Sequence, residues 1–479
     1  MSRVKKPNIL YIMPDEFRQR AMGFRGEDPV KTPNIDKLAA ESLELENVFS
    51  NYPVCSPHRG MLFTGQYPCT TGVMGNCNSQ TRQFYVRLPG NKTCLPDVLH
   101  AQGYTCGYAG KWHLDTPEES DAEYLEPRRD DGKIWDAFTP VHRRHHFDFW
   151  FSYGCNDQHL NPHYWDNTDK AEEVREYPGR WSPEVEAEEL IAYIKNENGE
   201  RTADKPFYFV WAPNPPHMPF DQVPQKYKDL YKDCDPDELL NAPSFTEVKE
   251  AKPELSPAMQ GQYSFNTQLA RSEVKDYFAC ISGVDDLIGQ VLEVLEEEGL
   301  KDDTLVIFCS DHGDLMGSHG LIRKGPWFDE CLKIPYLLRW PGVLEPGNKS
   351  DFLMNTPDIM PTLLGLLGLE SEIPEETEGH DLSRFFFEEA ADVFTEEEED
   401  KGGLAYYINA AMNTRGVRNR EYFLVVERNA YDEERYILYD LKNDPYLLKD
   451  IAAENEEIVK TMRSKLQKWM ERCNDWWLR

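Results

Sequence analysis

Four short apolar runs are separated by polar stretches along the first two thirds of the chain. They cover residues 8–13 (NILYIM), 104–109 (YTCGYA), 207–212 (FYFVWA) and 304–309 (TLVIFC). None of them alternates regularly between apolar and polar positions. Each run therefore predicts a strand that is buried on both faces, as the strands of a parallel sheet are.

Helical periodicity appears between these runs. Residues 272–298 place Tyr277, Ile281, Val284 and Ile288 on one face of a long amphipathic helix, which should stop at Gly299. A second helix should start at position 33, where a proline suits the first helical turn. Strands that alternate with helices predict an α/β fold, with helices flanking the sheet.

The last part of the chain has a different pattern. Residues 404–439 alternate between apolar and polar positions with turn signals, which predicts a small antiparallel sheet. A helix should follow from about Glu454. The acidic run 394–400 marks the expected boundary, so we predict a catalytic domain over residues 1–395 and a C-terminal subdomain over residues 396–479.

Residues that are capable of catalysis or metal binding follow each of the four predicted strands. They are Asp15 with Glu16, Lys111 with His113, His217, and Asp311 with His312. Because open α/β sheets bind ligands outside the carboxyl ends of their strands, we expect these loops to converge. Adjacent carboxylates repel each other unless a cation lies between them, and their oxygens suit Ca²⁺ or Mg²⁺. Taken singly, each loop also fits a structural role, such as a solvated acidic turn or a buried histidine.

The most informative segment is residues 55–60 (CSPHRG), within the run 51–68 (NYPVCSPHRGMLFTGQYP). It resembles the C-x-P-x-R signature of the formylglycine-dependent sulfatases. Residues 110–113 (GKWH), 310–313 (SDHG) and 438–445 (LYDLKNDP) resemble further segments of that family. The resemblance covers residues 8 to 452 and is weakest between residues 114 and 205.

The resemblance implies an alkaline phosphatase-like fold, in which a large mixed, mostly parallel sheet is flanked by helices and followed by a smaller α+β subdomain. It also implies that Cys55 is oxidised to formylglycine by a maturation enzyme. One hydroxyl of the hydrated aldehyde would attack the sulfate ester, and the other would expel sulfate, so that one difficult displacement becomes two easier steps.

The resemblance assigns roles to individual residues as well. It implies a divalent cation, Ca²⁺ or Mg²⁺, held by Asp15, Glu16, Cys55, Asp311 and His312. It implies that the sulfate and its transition state are held by Arg59, Lys111, His113 and Lys324. Either His217 or Lys324 would protonate the leaving alcohol. Two positions depart from the usual pattern, because many relatives carry aspartate in place of Glu16 and Asn or Gln in place of His312.

Composition narrows the expected partners and compartment. The chain has 52 basic and 85 acidic residues and a formal net charge of −33, which argues against nucleic acid and disfavours long polyanions. Its 11 cysteines contain no CxxC pair and suggest reduced, mostly buried thiols. Because the sequence shows no signal peptide or membrane-spanning run, we expect a cytoplasmic protein, or a periplasmic or secreted one if a leader has been removed.

The region between residues 114 and 205 is rich in His, Tyr and Trp, and it is predicted to form a loop-rich wall beside the site. Such side chains suit a sugar ring, so His159, Asn161 and His163 are predicted substrate contacts. We therefore expect an exo-acting carbohydrate O-sulfatase. Two alternatives stay open: a phosphonate monoester or phosphodiester hydrolase on the same scaffold, and a non-catalytic glycan- or anion-binding protein if Cys55 stays a thiol.

Overall fold

The computed structural model describes residues 6–119, 131–247, 267–387 and 399–478. The strands are, in chain order, β1 (Asn8–Ile12), β2 (Leu43–Leu45), β3 (Val48–Phe49), β4 (Thr105–Lys111), β5 (Phe149–Tyr153), β6 (His163–Asp166), β7 (Arg175–Glu176), β8 (Phe207–Ala212), β9 (Thr304–Cys309), β10 (Tyr336–Arg339), β11 (Lys349–Ser350), β12 (Met354–Asn355), β13 (Ala405–Asn409), β14 (Thr414–Arg418), β15 (Tyr422–Arg428) and β16 (Glu434–Asp440).

The helices are, in chain order, α1 (Pro33–Ala40), α2 (Cys55–Thr64), α3 (Pro68–Thr71), α4 (Leu95–Ala101), α5 (Ser182–Lys195), α6 (Gln225–Lys228), α7 (Pro236–Leu239), α8 (Thr267–Glu297), α9 (Asp329–Leu332), α10 (Ile359–Leu366) and α11 (Glu456–Arg472). Helix α1 starts at the predicted proline. Helix α8 starts five residues before the predicted position, and α11 starts two residues after it.

The main sheet has ten strands in the order β11-β2-β10-β9-β1-β8-β4-β5-β6-β7. Its centre, from β9 to β5, is parallel, and Tyr11 of β1 pairs with Ile307 on one side and Val210 on the other. Strands β10 and β6 join this parallel block antiparallel at its two sides. The four apolar runs are thus the neighbouring strands β9, β1, β8 and β4, and the predicted mixed, mostly parallel sheet is confirmed.

Both faces of the sheet are covered, which explains why its central strands lack alternation. Leu10 and Ile12 of β1 pack into a core shared with α1, α5 and α8. Ile9 and Tyr11 point to the opposite face and pack into a core shared with α2, α4 and α10. Because both sides of the strand are removed from water, every position favours an apolar side chain.

The prediction of a loop-rich wall between residues 114 and 205 is wrong for the second half of that region. Strands β5, β6 and β7 extend the main sheet there, and helix α5 packs against α8. The aromatic run Phe149–Tyr153 supplies the reason, because it pairs with β4 along its whole length and is buried. Its aromatic residues are core residues of the sheet.

The C-terminal part forms the predicted antiparallel sheet, with β13, β14, β15 and β16 in sequential order. Trp469 of α11 stacks on Tyr406 of this sheet and contacts Tyr67 edge-on. The sheet and α11 therefore share a core with the segment that follows α2. The predicted boundary between residues 395 and 396 lies outside the described residues. No helix among the described residues is long and apolar enough to cross a membrane.

Candidate active site

The loops that follow β1, β4, β8 and β9 meet the start of α2 at one edge of the sheet. Cys55 is the first residue of α2 and is buried. Its Sγ lies 3.3 Å from Nε2 of His312, 3.6 Å from Oδ1 of Asp15 and 3.6 Å from Nζ of Lys111. Residues up to 257 positions away from Cys55 in sequence therefore surround its thiol.

Four buried side chains form a group whose chemistry fits a divalent cation. Ligand atoms of Asp15, Cys55, Asp311 and His312 all lie within 4.8 Å of one another. The Nδ1–H of His312 donates to the Gly313 carbonyl at 3.0 Å. This bond leaves the Nε2 lone pair of the neutral ring free for a ligand, as in many metal sites.

Glu16 lies beside this group and belongs to a second one, with Asp15 and His217. Its Oε2 is 3.1 Å from Nζ of Lys324 and 3.5 Å from Nε2 of His217, while its buried Oε1 has no hydrogen-bond partner among the described residues. Burial raises the pKa of Glu16 to about 8, although the ammonium of Lys324 opposes this shift. An unpartnered buried carboxylate oxygen is costly, and a cation would satisfy it.

Arg59 uses all of its donors within the protein. Its Nε and Nη2 donate to Oδ2 of Asp311 at 3.2 and 3.0 Å, and Nη2 also donates to Oδ2 of Asp15 at 3.2 Å. Its Nη1 donates to the hydroxyl of Tyr108 and to the carbonyl oxygen of Lys111. A guanidinium has five N–H groups, so this arrangement leaves none for a sulfate oxygen. The geometry favours a role in holding the two aspartates.

Lys111 reaches the centre of the site from the end of β4. Its Nζ is 2.6 Å from Oδ2 of Asp15 and donates to Oδ1 of Asn214 at 3.0 Å. Burial works against the ammonium, but Asp15 and other nearby groups together outweigh it, so the pKa of Lys111 is raised well above its usual range. Sequence reasoning missed Asn214, although its place in the proline-rich loop 213–217 (PNPPH) after β8 was the available signal.

His113 is buried two residues beyond Lys111. Its Nε2–H donates to the carbonyl oxygen of Cys77 at 3.1 Å, and its Nδ1 has no hydrogen-bond partner. Burial lowers the pKa of His113, while nearby Cys55 opposes the shift. In the neutral tautomer that this bond fixes, Nδ1 is an acceptor, and it can donate to a sulfate oxygen only after protonation.

His217 faces the site from the loop after β8. Its Nδ1–H donates to the carbonyl of Met218 at 2.7 Å, with Oδ1 of Asp157 3.6 Å away. Burial, followed by the charge of Lys324, lowers the pKa of His217 well below its usual range. Sequence reasoning also missed Asp157, which carried no motif signal.

Asp314 is a further buried acid that sequence reasoning missed. Its Oδ1 accepts from the Met316 N–H at 2.6 Å, and its Oδ2 has no hydrogen-bond partner. Its negative charge is one cause of the raised pKa of Glu16. The available signal was its position two residues after His312, in the same loop beyond β9.

The predicted sugar contacts are engaged in three separate local interactions. His159 is buried, and its Nε2–H donates to the His217 carbonyl at 3.0 Å. His163 is held by Asp136, with Nε2 and Oδ2 2.7 Å apart. Asn161 is exposed and its Oδ1 accepts from the Gly179 N–H at 3.0 Å. These contacts favour structural roles for the two histidines and do not join the three residues into one sugar-binding surface.

Comparison with known proteins agrees with this geometry. The sulfatase family model matches residues 7–369, and a model described as N-sulphoglucosamine sulphohydrolase, C-terminal, matches residues 317–472. An endo-4-O-sulfatase of Bacteroides thetaiotaomicron is 38% identical, with 99% of this chain and 94% of that protein covered. An ulvan-active sulfatase of Formosa agariphila is 32% identical, with coverage of 98% and 82%.

A solved structure points the same way. It comes from work on the metabolism of multiple glycosaminoglycans by Bacteroides thetaiotaomicron, and its TM-score is 0.86 at 36% identity, with 99% of this chain and 98% of that chain covered. The fold and the site define a hydrolase with an alkaline phosphatase-like architecture. This chain belongs to the sulfatase family and is an enzyme that hydrolyses sulfuric esters.

Proposed function

We propose that this enzyme removes sulfate from a carbohydrate O-sulfate with a formylglycine nucleophile at position 55. The observation that carries the proposal is the position of Cys55 Sγ, within 3.6 Å of Asp15, Lys111 and His312. The sulfur marks where the oxygens of a formylglycine hydrate would lie. Formylglycine supplies a nucleophilic hydroxyl and a second hydroxyl that lets the sulfated residue regenerate its aldehyde. A maturation enzyme that oxidises Cys55 is the implied partner.

The same proposal includes a divalent cation, Ca²⁺ or Mg²⁺, held by Asp15, Asp311, His312 and position 55, with Glu16 as a further ligand. This donor set is dominated by carboxylate oxygens and fits a hard cation. A bound cation neutralises charge on the sulfate oxygens and lowers the pKa of a coordinated hydroxyl. Arg59 contributes by fixing Asp15 and Asp311, because its own donors are occupied.

Substrate sulfate is proposed to bind Lys111 and Lys324, and His113 joins them only in its protonated form, in which Nδ1–H is a donor. The two ammonium groups carry positive charge, because the pKa of each is raised above its usual range. For both lysines burial opposes the charge, and the neighbouring anionic groups outweigh it. Of the two candidate proton donors to the leaving alcohol, Lys324 is protonated at neutral pH and His217 is neutral. We therefore assign proton donation to Lys324.

A glycan substrate is supported by relatives that cover nearly the whole chain, an endo-4-O-sulfatase and an ulvan-active sulfatase. We retain exo-action on a terminal sugar as the primary proposal, because the net charge of −33 disfavours long polyanions. The 38% identity to an endo-4-O-sulfatase and the 36% identity to a structure from work on glycosaminoglycan metabolism favour a second candidate, which is 4-O-desulfation within a glycosaminoglycan chain.

Mass spectrometry of the peptide that contains position 55, combined with activity assays, tests the nucleophile. We expect an aldehyde at position 55 in active protein. Cys55→Ala should abolish turnover, because no other side chain supplies the two hydroxyls. Cys280→Ala, which removes another buried thiol that is bonded only to the Phe220 carbonyl, should retain activity. Active protein that carries only unmodified cysteine would refute the proposal.

A substrate panel tests the chemistry. Sulfated mono- and oligosaccharides should turn over faster than a nitrophenyl sulfate, because remote sugar contacts contribute binding energy to the reacting centre. A phosphonate monoester and a phosphodiester should be poorer still. Faster hydrolysis of the phosphonate or phosphodiester would support the alternative hydrolase instead. Release of sulfate from internal rather than terminal sugars would select the endo-acting candidate.

A further inference from the structure

A cleft of about 430 Å³ opens beside the active site. One wall is the segment that follows His113, and the other is the loop that follows Cys77. Its volume lies within the range of roughly 300–1,000 Å³ that is common for small-ligand sites. None of the active-site residues assigned above lines it, so its side chains have no role in the proposed chemistry.

The cleft is joined to the active site through hydrogen bonds that involve both side chains and backbone. The carbonyl of Cys77 accepts from His113, and the next residues of that loop bind the segment around Ile134. The Ser79 N–H donates to the Ile134 carbonyl at 2.9 Å, and the Ser79 hydroxyl accepts from the Ile134 N–H at 3.0 Å. This pairing brings the ring of Trp135 to 6.1 Å from that of His113. The loop that lines the cleft is therefore held next to His113 of the active site.

Two arginines in the cleft share one carboxylate. Nη2 of Arg82 lies 2.9 Å from Oε2 of Glu118, and Nη1 of Arg87 lies 3.3 Å from Oε1 of the same residue. These side chains are 35–44% exposed, so the ion pairs are worth little on their own. An incoming carboxylate or sulfate could replace Glu118 as the partner of both guanidinium groups at low cost.

Exposed aromatic rings lie next to these arginines. Phe84 is 71% exposed, and Tyr85, which lines the cleft, is 78% exposed. Single exposed apolar residues are common on protein surfaces. Two adjacent aromatic rings with two arginines beside a glycan-processing site are better explained by saccharide binding, because sugar rings have apolar faces and a polar rim.

We propose that this cleft is a subsite for a second, anionic sugar unit linked to the sulfated sugar in the active site. The inference rests on the proposed carbohydrate sulfatase function. Arg82 and Arg87 would bind the carboxylate or sulfate of that unit, and Tyr85 would contact its ring. Glu118 occupies the arginines when no substrate is present, so it competes with the substrate anion.

The test compares a long and a short probe. A chondroitin 4-sulfate tetrasaccharide carries uronate carboxylates next to its sulfated sugars, whereas N-acetylgalactosamine 4-sulfate has no neighbouring unit. The double variant Arg82→Ala/Arg87→Ala should lower kcat/KM about tenfold for the tetrasaccharide, as expected for loss of a charge-assisted contact. It should change kcat/KM for the monosaccharide by less than about twofold. Glu118→Gln should raise kcat/KM for the tetrasaccharide, because it removes the carboxylate that competes with the substrate anion.

A matched control is the exposed ion pair between Arg180 and Glu188, whose Nη2 and Oε1 are 2.6 Å apart. Arg180→Ala and Glu188→Gln should alter neither probe. Equal losses on both probes in the Arg82/Arg87 variant, or a loss in Glu118→Gln, would overturn the subsite.

If wild-type enzyme hydrolyses neither probe, these saccharides are not its substrates. The proposed subsite is then tested by measuring how tightly the tetrasaccharide binds. Calorimetric titration of the tetrasaccharide into Cys55→Ala protein measures its affinity without turnover. Binding that weakens with the Arg82/Arg87 substitutions and strengthens with Glu118→Gln supports the subsite. No binding, or binding that neither change alters, refutes it. Failure of the sulfatase proposal is thus distinguishable from failure of the subsite.

Discussion

Arg59 shows how one side chain can organise a site while all of its donors are engaged within the protein. It joins Asp15, Asp311, the Lys111 carbonyl and the Tyr108 hydroxyl, so it fixes the ends of β1, β4 and β9 relative to α2. Burial opposes its charge, but Asp311, Asp15 and other nearby groups together outweigh this, and the pKa of Arg59 is raised above its usual value. A planar fork of five donors is needed for these contacts, and lysine cannot replace it.

Arg59→Lys should therefore abolish most activity although the charge is kept. We expect kcat/KM to fall by roughly 10²–10³ and the free energy of unfolding to fall by about 3 kcal/mol, because two buried carboxylates lose hydrogen bonds. Arg339→Lys is the control: Arg339 is also buried, but among the residues that the structure describes it forms an ion pair with Glu41 alone, at 3.6 Å. Steady-state kinetics and denaturant unfolding of both variants check this. Near-normal activity of Arg59→Lys would contradict the positioning role.

Helix α5 carries a buried acid that the chemistry does not use. Oε1 of Glu186 accepts from the Tyr164 hydroxyl at 2.9 Å, and its Oε2 accepts from Nε1–H of Trp211 at 3.2 Å. No ion pair to Glu186 is seen within the described ranges of the chain. Burial raises its pKa to about 8, and the two hydrogen bonds oppose this shift. The helix therefore contributes a carboxyl group to the core that is neutral below a pH of about 8.

The raised pKa of Glu186 predicts a loss of stability with rising pH. A carboxyl whose pKa is higher in the folded state stabilises the fold fully below its unfolded pKa of about 4.3, and this contribution is lost as pH rises through 8. Melting temperatures between pH 6 and 9 should fall less in Glu186→Gln than in wild type, with up to about 3 kcal/mol involved. The exposed Glu188→Gln should follow wild type. Parallel pH curves for all three proteins would refute the assignment.

At the scale of the whole molecule, the site brings together three buried acids and three basic groups. Asp15, Glu16 and Asp311 are ion-paired with Lys111, Lys324 and Arg59. The carboxylates are thus partly compensated before any cation binds. A cation adds stability mainly by binding the folded state alone, which scales with its concentration relative to the dissociation constant.

Chelation should abolish activity and lower the melting temperature by several degrees, which corresponds to about 4 kcal/mol when the free cation is at 1,000 times its dissociation constant. Ca²⁺ or Mg²⁺ should restore both, and thermal melts with and without chelator measure the shift. Asp311→Asn protein should show little response to either treatment, because its donor group is incomplete. Full activity after exhaustive chelation, with no metal in elemental analysis, would contradict the metal proposal.

The division of the chain is also decided at this scale. The C-terminal sheet contacts the segment before α2 directly, because the Ile408 N–H donates to the Asn51 carbonyl at 2.8 Å and the Asn51 amide donates to the Tyr406 carbonyl at 2.6 Å. We propose that residues 396–479 are a subdomain that depends on the catalytic domain over residues 1–395. Its core includes residues of both parts, so the subdomain has no complete apolar core of its own.

The sequence by itself determined which segments form the central strands, which family the chain belongs to, and which loops meet at one edge of the sheet. Strands β1, β4, β8 and β9 were predictable because burial on both faces requires continuous apolar runs, a local property of the chain. Residues such as Asp15 and Asp311 directly follow those strands, and Cys55 lies in a short motif. Their positions in the sequence alone therefore indicated that they lie at one edge of the main sheet.

Only the tertiary structure decided what each side chain contacts. The donors of Arg59 reach residues up to 252 positions away, and no local pattern reports that they are all occupied. The same holds for Glu186, for Asn214, and for His159 and His163, whose imidazoles were plausible sugar contacts in sequence and are held by protein groups in the fold. Hydrogen bonds and burial between distant segments depend on how strands are ordered in the sheet, and that order is a property of the folded chain as a whole.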